Sequence, residues 1–468
     1  MKKIIALLIV CLPFISAGQK LHVSENNRYL ETEEDKPFVW IGDTAWELFH
    51  KLNREDARLY LKDRAAKGFT IIQAVVLAEM DGLKTPNAYG EVPLIDMNPE
   101  KPNEKYFSHV DFIVDEAQKL GLYIGMLPTW GDKVTPAHGG GPVIFTEDNA
   151  GTYGRFLGER YKYKPIVWIL GGDREVADEK ELKVWRAMAQ GLRTGSKGNH
   201  LISYHPRGAS SSHKKLHNEE WLDFNMYQSG HEKHFNEVYR YAETLNSVEP
   251  LKPYVDAEAA YEDIAVKFWD YCDWSTPLKV PAEVLNSDKT INKKEHFTKG
   301  FINAHDVRVA AYWNFLSGAC GYTYGNNAIW QMFEKWGNLN IPCLTDWREA
   351  LNRPGAGQMK YVHQLFKEYP LSKLNPDQSI VSGVNPTDSL HVRAAMATDR
   401  SFALVYLSLG QPVSVDLAKL GKEVSASWYN PRDGKMKKTG SYKNTAIQQF
   451  TPPTNGADND WLLVLKSK

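Results

Sequence analysis

From about residue 37 to residue 330 the chain alternates short apolar runs with longer stretches in which apolar residues recur every three or four positions. That is the rhythm of strand–helix–strand units in a parallel sheet. Eight runs read as strands: FVWIGD (38–43), TIIQAVVLAE (70–79), LYIGMLPTW (122–130), PIVWILGGD (165–173), LISYHPRG (201–208), LDFNMYQ (222–228), PYVDAE (253–258) and VAAYWNF (309–315). Helices fit between most of them. NREDARLYLKDRAAKG follows the first, with Asn53 as N-cap and Gly68 as stop. SHVDFIVDEAQKLG precedes the third and sets Val110, Ile113, Val114, Ala117 and Leu120 on one face. EKELKVWRAMAQGLRTG follows the fourth strand, and EHFTKGFINAHDV precedes the eighth. The pattern predicts an α/β fold, a closed (β/α)8 TIM barrel. An open doubly wound sheet fits less well, because no G-x-G-x-x-G follows the first strand, and GGGP at 139–142 lies in a long loop.

Beyond residue 330 the rhythm changes. GQMKYVHQLFKEYP reads as a closing helix and LSKLNPDQSIVSGVNPTDS as a turn-rich linker. Short β-like segments separated by turns then run from about 388 to 468 and predict a small antiparallel β-sandwich behind the barrel. The expected division is a leader at 1–18, a barrel at 19–370 and a C-terminal β-sandwich domain at 371–468.

Composition narrows the function classes. The chain has 468 residues, 43% hydrophobic and 24% charged, ample for a large core. A net charge of −1 gives no electrostatic reason to expect nucleic acid or an anionic membrane surface as partner. Fourteen Trp and 23 Tyr suit sugar faces as well as cores. At the start, Lys2 and Lys3, an apolar run from Ile4 to Ile15 and the small residues Ser16-Ala17-Gly18 predict a secretory signal cleaved near Gly18. The product would be exported to the periplasm or the extracellular space. Lipoprotein anchoring through Cys11 is not expected, because bulky Val10 precedes it. No later segment approaches the apolar length of a membrane span. Cys272, Cys320 and Cys343 remain, at spacings that fit no disulfide framework or zinc site; buried thiols are expected, with one bridge possible. The oligomeric state is left open.

Candidate chemistry belongs at the C-terminal ends of the barrel strands. Asp173 ends strand four behind two glycines. On strand seven, Tyr254, Asp256 and Glu258 share a parity, and Glu258 is the last of them. Asp173 and Glu258 would face each other across the barrel mouth, as glycosidic cleavage by two carboxyls requires. Either acid alone would serve equally well as a helix cap or surface ion pair, and Asp256 and Glu262 compete with Glu258. Together they favour catalysis. Substrate-binding candidates at the other strand ends are Asp43 and Trp46 (with His50), Glu79, Trp130, His205, Arg207, Asn225, Tyr227, Gln228 and Trp313 (with Asn314). Trp46, Trp130 and Trp313 divide evenly between sugar stacking and core packing. Tyr227 could hydrogen-bond the second carboxylate and hold down its pKa. Arg207 could meet an acidic sugar or a loop carboxylate. HKKLH (213–217) has helical ligand spacing but lacks the glutamate of H-E-x-x-H, so solvated surface is the better account. No metal and no cofactor is called for. The partner is an oligo- or polysaccharide; a rival reading is a barrel that only binds carbohydrate or matrix.

Four stretches carry a family resemblance: FVWIGDTAWELFHKL (38–52), IIQAVVLAEMDG (71–82), VWILGGDRE (167–175) and KPYVDAEAAYED (252–263). They resemble the apiosidase-like glycoside hydrolases, best represented by glycoside hydrolase family 140. SWYNPRDG (427–434) resembles the small β-domain that often follows that barrel. The resemblance covers nearly all of the mature chain. It implies a retaining enzyme acting at apiose in the pectic polymer rhamnogalacturonan II, with Asp173 as acid/base and Glu258 as nucleophile. Ala257 and Ala259 depart from the Gly and Pro expected around that glutamate, and another glycosidase of this barrel type, such as an arabinosidase, is the alternative.

Overall fold

The computed structural model describes residues 20–79, 81–136, 141–271, 297–334, 341, 343–443 and 447–468. The expected leader and Cys272 lie outside them. Eight parallel strands form the barrel: β1 (Trp40–Thr44), β2 (Ile71–Leu77), β3 (Tyr123–Thr129), β4 (Ile166–Gly171), β5 (Ile202–His205), β6 (Asn225–Gln228), β7 (Tyr254–Asp256) and β8 (Gly321–Tyr324). Their order in the sheet is β5-β4-β3-β2-β1-β8-β7-β6, with Ser210–Ser211 added antiparallel to β6. The seam between β5 and β6 closes mainly through side chains. The Ile202 amide donates to Asp223 Oδ2 (2.6 Å), the Asp223 amide to the Ile202 carbonyl (2.9 Å), and Ser203 Oγ to the Phe224 carbonyl (2.6 Å).

Alternation along the strands sorts two cores. Ile71, Val75, Leu127, Val167, Ile169, Met226 and Val255 share the barrel interior. Ile72, Ala74, Val76, Ile124, Met126, Trp168, Leu170 and Tyr204 pack outward under the helices. Those helices include α1 (Arg54–Ala66), α2 (Glu104–Lys119), α3 (Glu147–Tyr161), α4 (Glu179–Ser196), α5 (Ala304–Leu316) and α6 (Pro354–Glu368). Asn53 caps α1 by accepting from the Glu55 and Asp56 amides at 2.9 Å, and Gly68, at φ +79°, ends it. Helices α3 and α4 flank β4 and touch backbone to backbone. A Cβ on Gly191 would lie 2.3 Å from the Gly151 carbonyl oxygen, and one on Gly154 2.4 Å from that of Met188.

The eighth strand corrects the sequence reading. VAAYWNF is the middle of α5, and β8 is the short GYTY segment that follows. The cause is burial on every side: residues 305–316 are all buried, with the barrel on one flank and the C-terminal sheets on the other. Tyr312 stacks on Tyr406 (4.7 Å between rings), and Trp313 packs edge-on against Tyr239 and His391. A helix apolar all round loses the 3.6-residue period and looks like a buried strand.

The C-terminal region is a six-stranded antiparallel sheet, from Leu374–Pro376 to Met436–Lys443 at its edges, with a three-stranded sheet beside it. Its polar tie to the barrel is Arg308 of α5, whose buried guanidinium donates to both oxygens of Asp460 (3.1 and 2.7 Å). His305 adds Nε2 to the Ser408 carbonyl at 2.7 Å. Cys320 and Cys343 are buried free thiols. No helix among the described residues is long and apolar enough to cross a membrane.

Candidate active site

A cavity of about 690 Å³ opens at the C-terminal mouth of the barrel and brings Asp173 and Glu258 together. The chain leaves β4 through Gly171 (φ +81°) and Gly172 (φ +113°) into Asp173, itself left-handed at φ +53°. The glycines are required by close packing as well as by conformation. A Cβ on Gly171 would lie 2.5 Å from the His205 carbonyl oxygen, and one on Gly172 2.7 Å from the Trp130 ring. Holding an aspartate in that region costs on the order of 1 kcal/mol, the kind of strain found at functional sites. Enclosure by the cavity wall and then the Glu258 charge push the Asp173 carboxyl above the usual carboxylate range, against the pull of Arg174 and His205. Arg174 Nη1 stands 3.6 Å from Asp173 Oδ2.

Glu258 is the opposite case. Burial alone would raise its pKa, but His205 and His231 outweigh burial and bring it down to about 2. Each imidazole serves one oxygen: His231 Nε2 is 3.1 Å from Oε1 and His205 Nε2 3.2 Å from Oε2. The other ring nitrogens fix the tautomer. His231 Nδ1 accepts the Tyr261 amide (3.3 Å), and His205 Nδ1 the Asp173 amide in a long contact (3.5 Å). His231 therefore carries Nε2–H toward the carboxylate, while His205 Nε2 lies at ion-pair distance from Oε2 without hydrogen-bond geometry.

Glu79, Trp46, Trp130 and Gln228 line the cavity, and exposed Arg207 stands at its rim with Nε 3.4 Å from Glu175 Oε1. Trp46 and Trp130 meet at 5.2 Å between rings, with His205 edge-on to Trp46. The remaining candidates lie elsewhere, and alternation is the reason for three of them. Asp43 points outward from β1 to Arg64 Nε (2.5 Å) and the Tyr60 hydroxyl (2.6 Å) of α1. Asn225 faces outward to Ser212 (3.0 Å) and His217 (3.1 Å). Tyr227 also faces outward, where it bonds Asn314 and stacks on Tyr241 (4.9 Å), away from Glu258. Trp313 lies in α5, and His50 pairs with Glu47 (2.8 Å).

The shared parity on β7 does not explain how Glu258 enters the cavity. Tyr254 and Asp256 both face outward, to Asn246 (2.8 Å) and Asn314 (2.9 Å). The strand ends at Asp256, the backbone turns, and Gln73 from across the barrel donates to the Ala257 carbonyl (2.8 Å). Glu262 is held by the Tyr324 hydroxyl (2.6 Å) and the Gly355 amide (3.1 Å). His217 is not solvated surface: it is buried and bonds the Pro250 carbonyl at 2.8 Å. Among the described residues the one triad with metal-ligand geometry is His22, Glu31 and Asp35, and none of these lines the cavity.

His231 and Tyr261 were missed by sequence reasoning. His231 follows β6 by three residues, beyond the HKKLH segment and outside every strand-end candidate. The Tyr261 ring rests on Gly325, where a Cβ would lie 2.0 Å from it, and burial and the Glu258 charge keep its hydroxyl protonated.

One raised and one lowered carboxyl across a sugar-sized cavity on a (β/α)8 barrel is the arrangement of a glycoside hydrolase. The chain belongs to the apiosidase-like family: the family model described as "Apiosidase-like, catalytic domain" matches residues 24–373. Residues 375–466 match a model of a collagen-binding domain of a collagenase. A solved glycoside hydrolase is 32% identical, with a TM-score of 0.83 over 97% of this chain and 98% of the other. A glycoside hydrolase family 5 structure from Bacteroides vulgatus is also 32% identical, with a TM-score of 0.81 over 96% and 93%. The search of curated proteins gave no match.

Proposed function

We propose that the protein is an exported enzyme that cleaves at apiose in rhamnogalacturonan II by a retaining mechanism, with Asp173 as acid/base and Glu258 as nucleophile. The observation that carries the pairing is the opposite displacement of the two carboxyls' pKa values, one pushed up and one pulled down to about 2, while retention rests on the family resemblance. At neutral pH Glu258 is then ionised and held at both oxygens, while Asp173 is the group suited to carry a proton. Asp173 protonates the departing glycosidic oxygen as a Glu258 oxygen bonds to the anomeric carbon and the C–O bond breaks. Asp173, now ionised, then takes a proton from water, whose oxygen displaces Glu258 and regenerates both groups. A barrel that only binds carbohydrate has no use for a buried carboxylate held by two imidazoles beside a proton donor.

The sugar rests on the family alone. An arabinoside is the second reading, because Ala257 and Ala259 depart from the Gly and Pro of the family pattern around the nucleophile. The C-terminal domain serves as a buttress through Arg308 and Asp460. Export predicts that the protein recovered from cells begins just after Gly18.

The test is to incubate the mature protein with rhamnogalacturonan II oligosaccharides beside Asp173→Asn and Glu258→Gln and to analyse the products. Release of an apiose-terminated product by wild type alone supports the sugar and both residues. Activity on an arabinoside instead would move the substrate assignment and leave the carboxyls in place. Variants as active as wild type would end the site assignment.

A further inference from the structure

Asp173 and Glu258 share their cavity with a third carboxyl, Glu79, just beyond the end of β2. The other acids around it have partners. Glu258 has His205 and His231. Asp132 holds Lys133 at 2.8 Å and accepts the Gly141 amide at 2.9 Å. Glu47 has His50 at 2.8 Å, and Glu175 has Ser210 and Arg207. The nearest cation is committed: Lys133 also donates to the carbonyl of Ala78, the residue before Glu79, at 2.7 Å. Among the described residues nothing hydrogen-bonds or pairs with the Glu79 carboxyl, while its backbone carbonyl accepts the Gly82 amide at 3.1 Å.

Resting on the reading of this cavity as the glycoside site, we propose that Glu79 meets the substrate as an uncharged carboxylic acid and donates its O–H to a sugar hydroxyl oxygen. The substrate class at this subsite is a neutral, hydroxyl-bearing sugar unit rather than a uronate. Four charged neighbours act on the group. Burial, the charge of Asp173 whenever that group is ionised, and the charges of Glu47 and Asp132 all push its carboxyl up, and Lys133 offsets them only in part. A carboxylic acid kept neutral is a donor, whereas a carboxylate only accepts. The indoles of Trp46 and Trp130 and the amide side chain of Gln228 line the same cavity, surfaces suited to a sugar ring and its hydroxyls. A uronate carboxylate against Glu79 would find no free cation there among the described residues, since the arginines that line the cavity, Arg174 and Arg207, stand beside Asp173 and Glu175.

Two measurements test this. The first needs no turnover: the infrared difference spectrum of wild type minus Glu79→Gln at pH 7 should contain the carbonyl stretch of a protonated carboxyl. Its absence would overturn the proposal even if the enzyme proved active on the expected glycan. The second compares kcat/KM on whichever glycoside the protein cleaves, after thermal melts show that the variants fold. Glu79→Gln keeps an N–H donor and should lose about threefold, while Glu79→Ala should lose about thirtyfold, mostly in KM. Equal losses in the two variants, or a wild-type preference for a uronate at this position, would also overturn it. A wild type inactive on apiosides but active elsewhere would sink the sugar assignment and leave the Glu79 result standing.

Discussion

His205 and Glu258 face each other at 3.2 Å from opposite sides of the seam where the barrel ladder is weakest, and the other nitrogen of that imidazole reaches the Asp173 amide. One ring thus touches the backbone of the proton donor and the side chain of the nucleophile. Removing it leaves burial of Glu258 opposed by His231 alone. In His205→Ala and His231→Ala the Glu258 pKa should rise from about 2, so the acid limb of the kcat/KM profile should move to higher pH. The same change acts on stability. A carboxyl with a depressed folded pKa contributes stability above its unfolded value, near 4.5, and loses it as pH falls through about 2. Between those values the histidine variants should be less acid-sensitive than wild type relative to their own neutral-pH stability. Urea unfolding across that range, with the pH–rate profile, checks both statements.

That pair also marks how far sequence reaches. The barrel, Asp173, Trp46, Trp130 and Gln228 were legible because strand periodicity and position at a strand end are local signals. Asp43, Asn225 and Tyr227 were misplaced because a strand end exposes two faces, and one residue of phase decides between cavity and helix layer. Glu258 reached the cavity only because β7 stops at Asp256, a turn that the alternating pattern does not encode. His231 was missed for want of a long-range cue, since its partner lies 27 residues away. The helix α5 was read as a strand because the C-terminal sheets that bury its far side begin only at Leu374, far along the chain from Leu316.

The Asp173 carboxyl owes part of its upward shift to Glu258. Glu258→Gln removes that charge, so Asp173 should titrate at lower pH in the variant than in wild type, followed by carbon NMR of labelled aspartate. An unchanged or higher value would mean that the two carboxyls do not sense each other. For the active wild type, the alkaline limb of kcat/KM should lie above the ordinary aspartate range for the same reason.

Helices α3 and α4 approach so closely that Gly191 has no room for a methyl group, with the Gly151 carbonyl oxygen at 2.3 Å and the Arg155 nitrogen at 2.8 Å from a modest Cβ. Both obstacles are backbone, so one helix must move. Gly191→Ala should cost about 2 kcal/mol or more despite the higher helix propensity of alanine, which alone would stabilise by up to about 1 kcal/mol. Because β4 lies between these helices in sequence and carries Asp173 at its end, kcat should fall further than folding alone explains. Denaturant midpoints and kcat measured well below the midpoint separate the two effects.

Arg308 is the test of the buttress. Its guanidinium is buried, and Asp460 beneath it also receives Arg432 (3.2 Å) and the Tyr406 hydroxyl (2.9 Å). Arg308→Met keeps most of the packing volume and leaves a buried carboxylate with one fewer cation, which should destabilise by about 3 kcal/mol. Arg308→Met with Asp460→Leu removes the stranded charge as well and should recover much of that loss, a coupling that a double-mutant cycle reads directly. Both folded variants should keep wild-type kcat, because Arg308 lines no part of the cavity. A large fall in kcat with stability unchanged would instead mean that the C-terminal domain shapes the active site through α5.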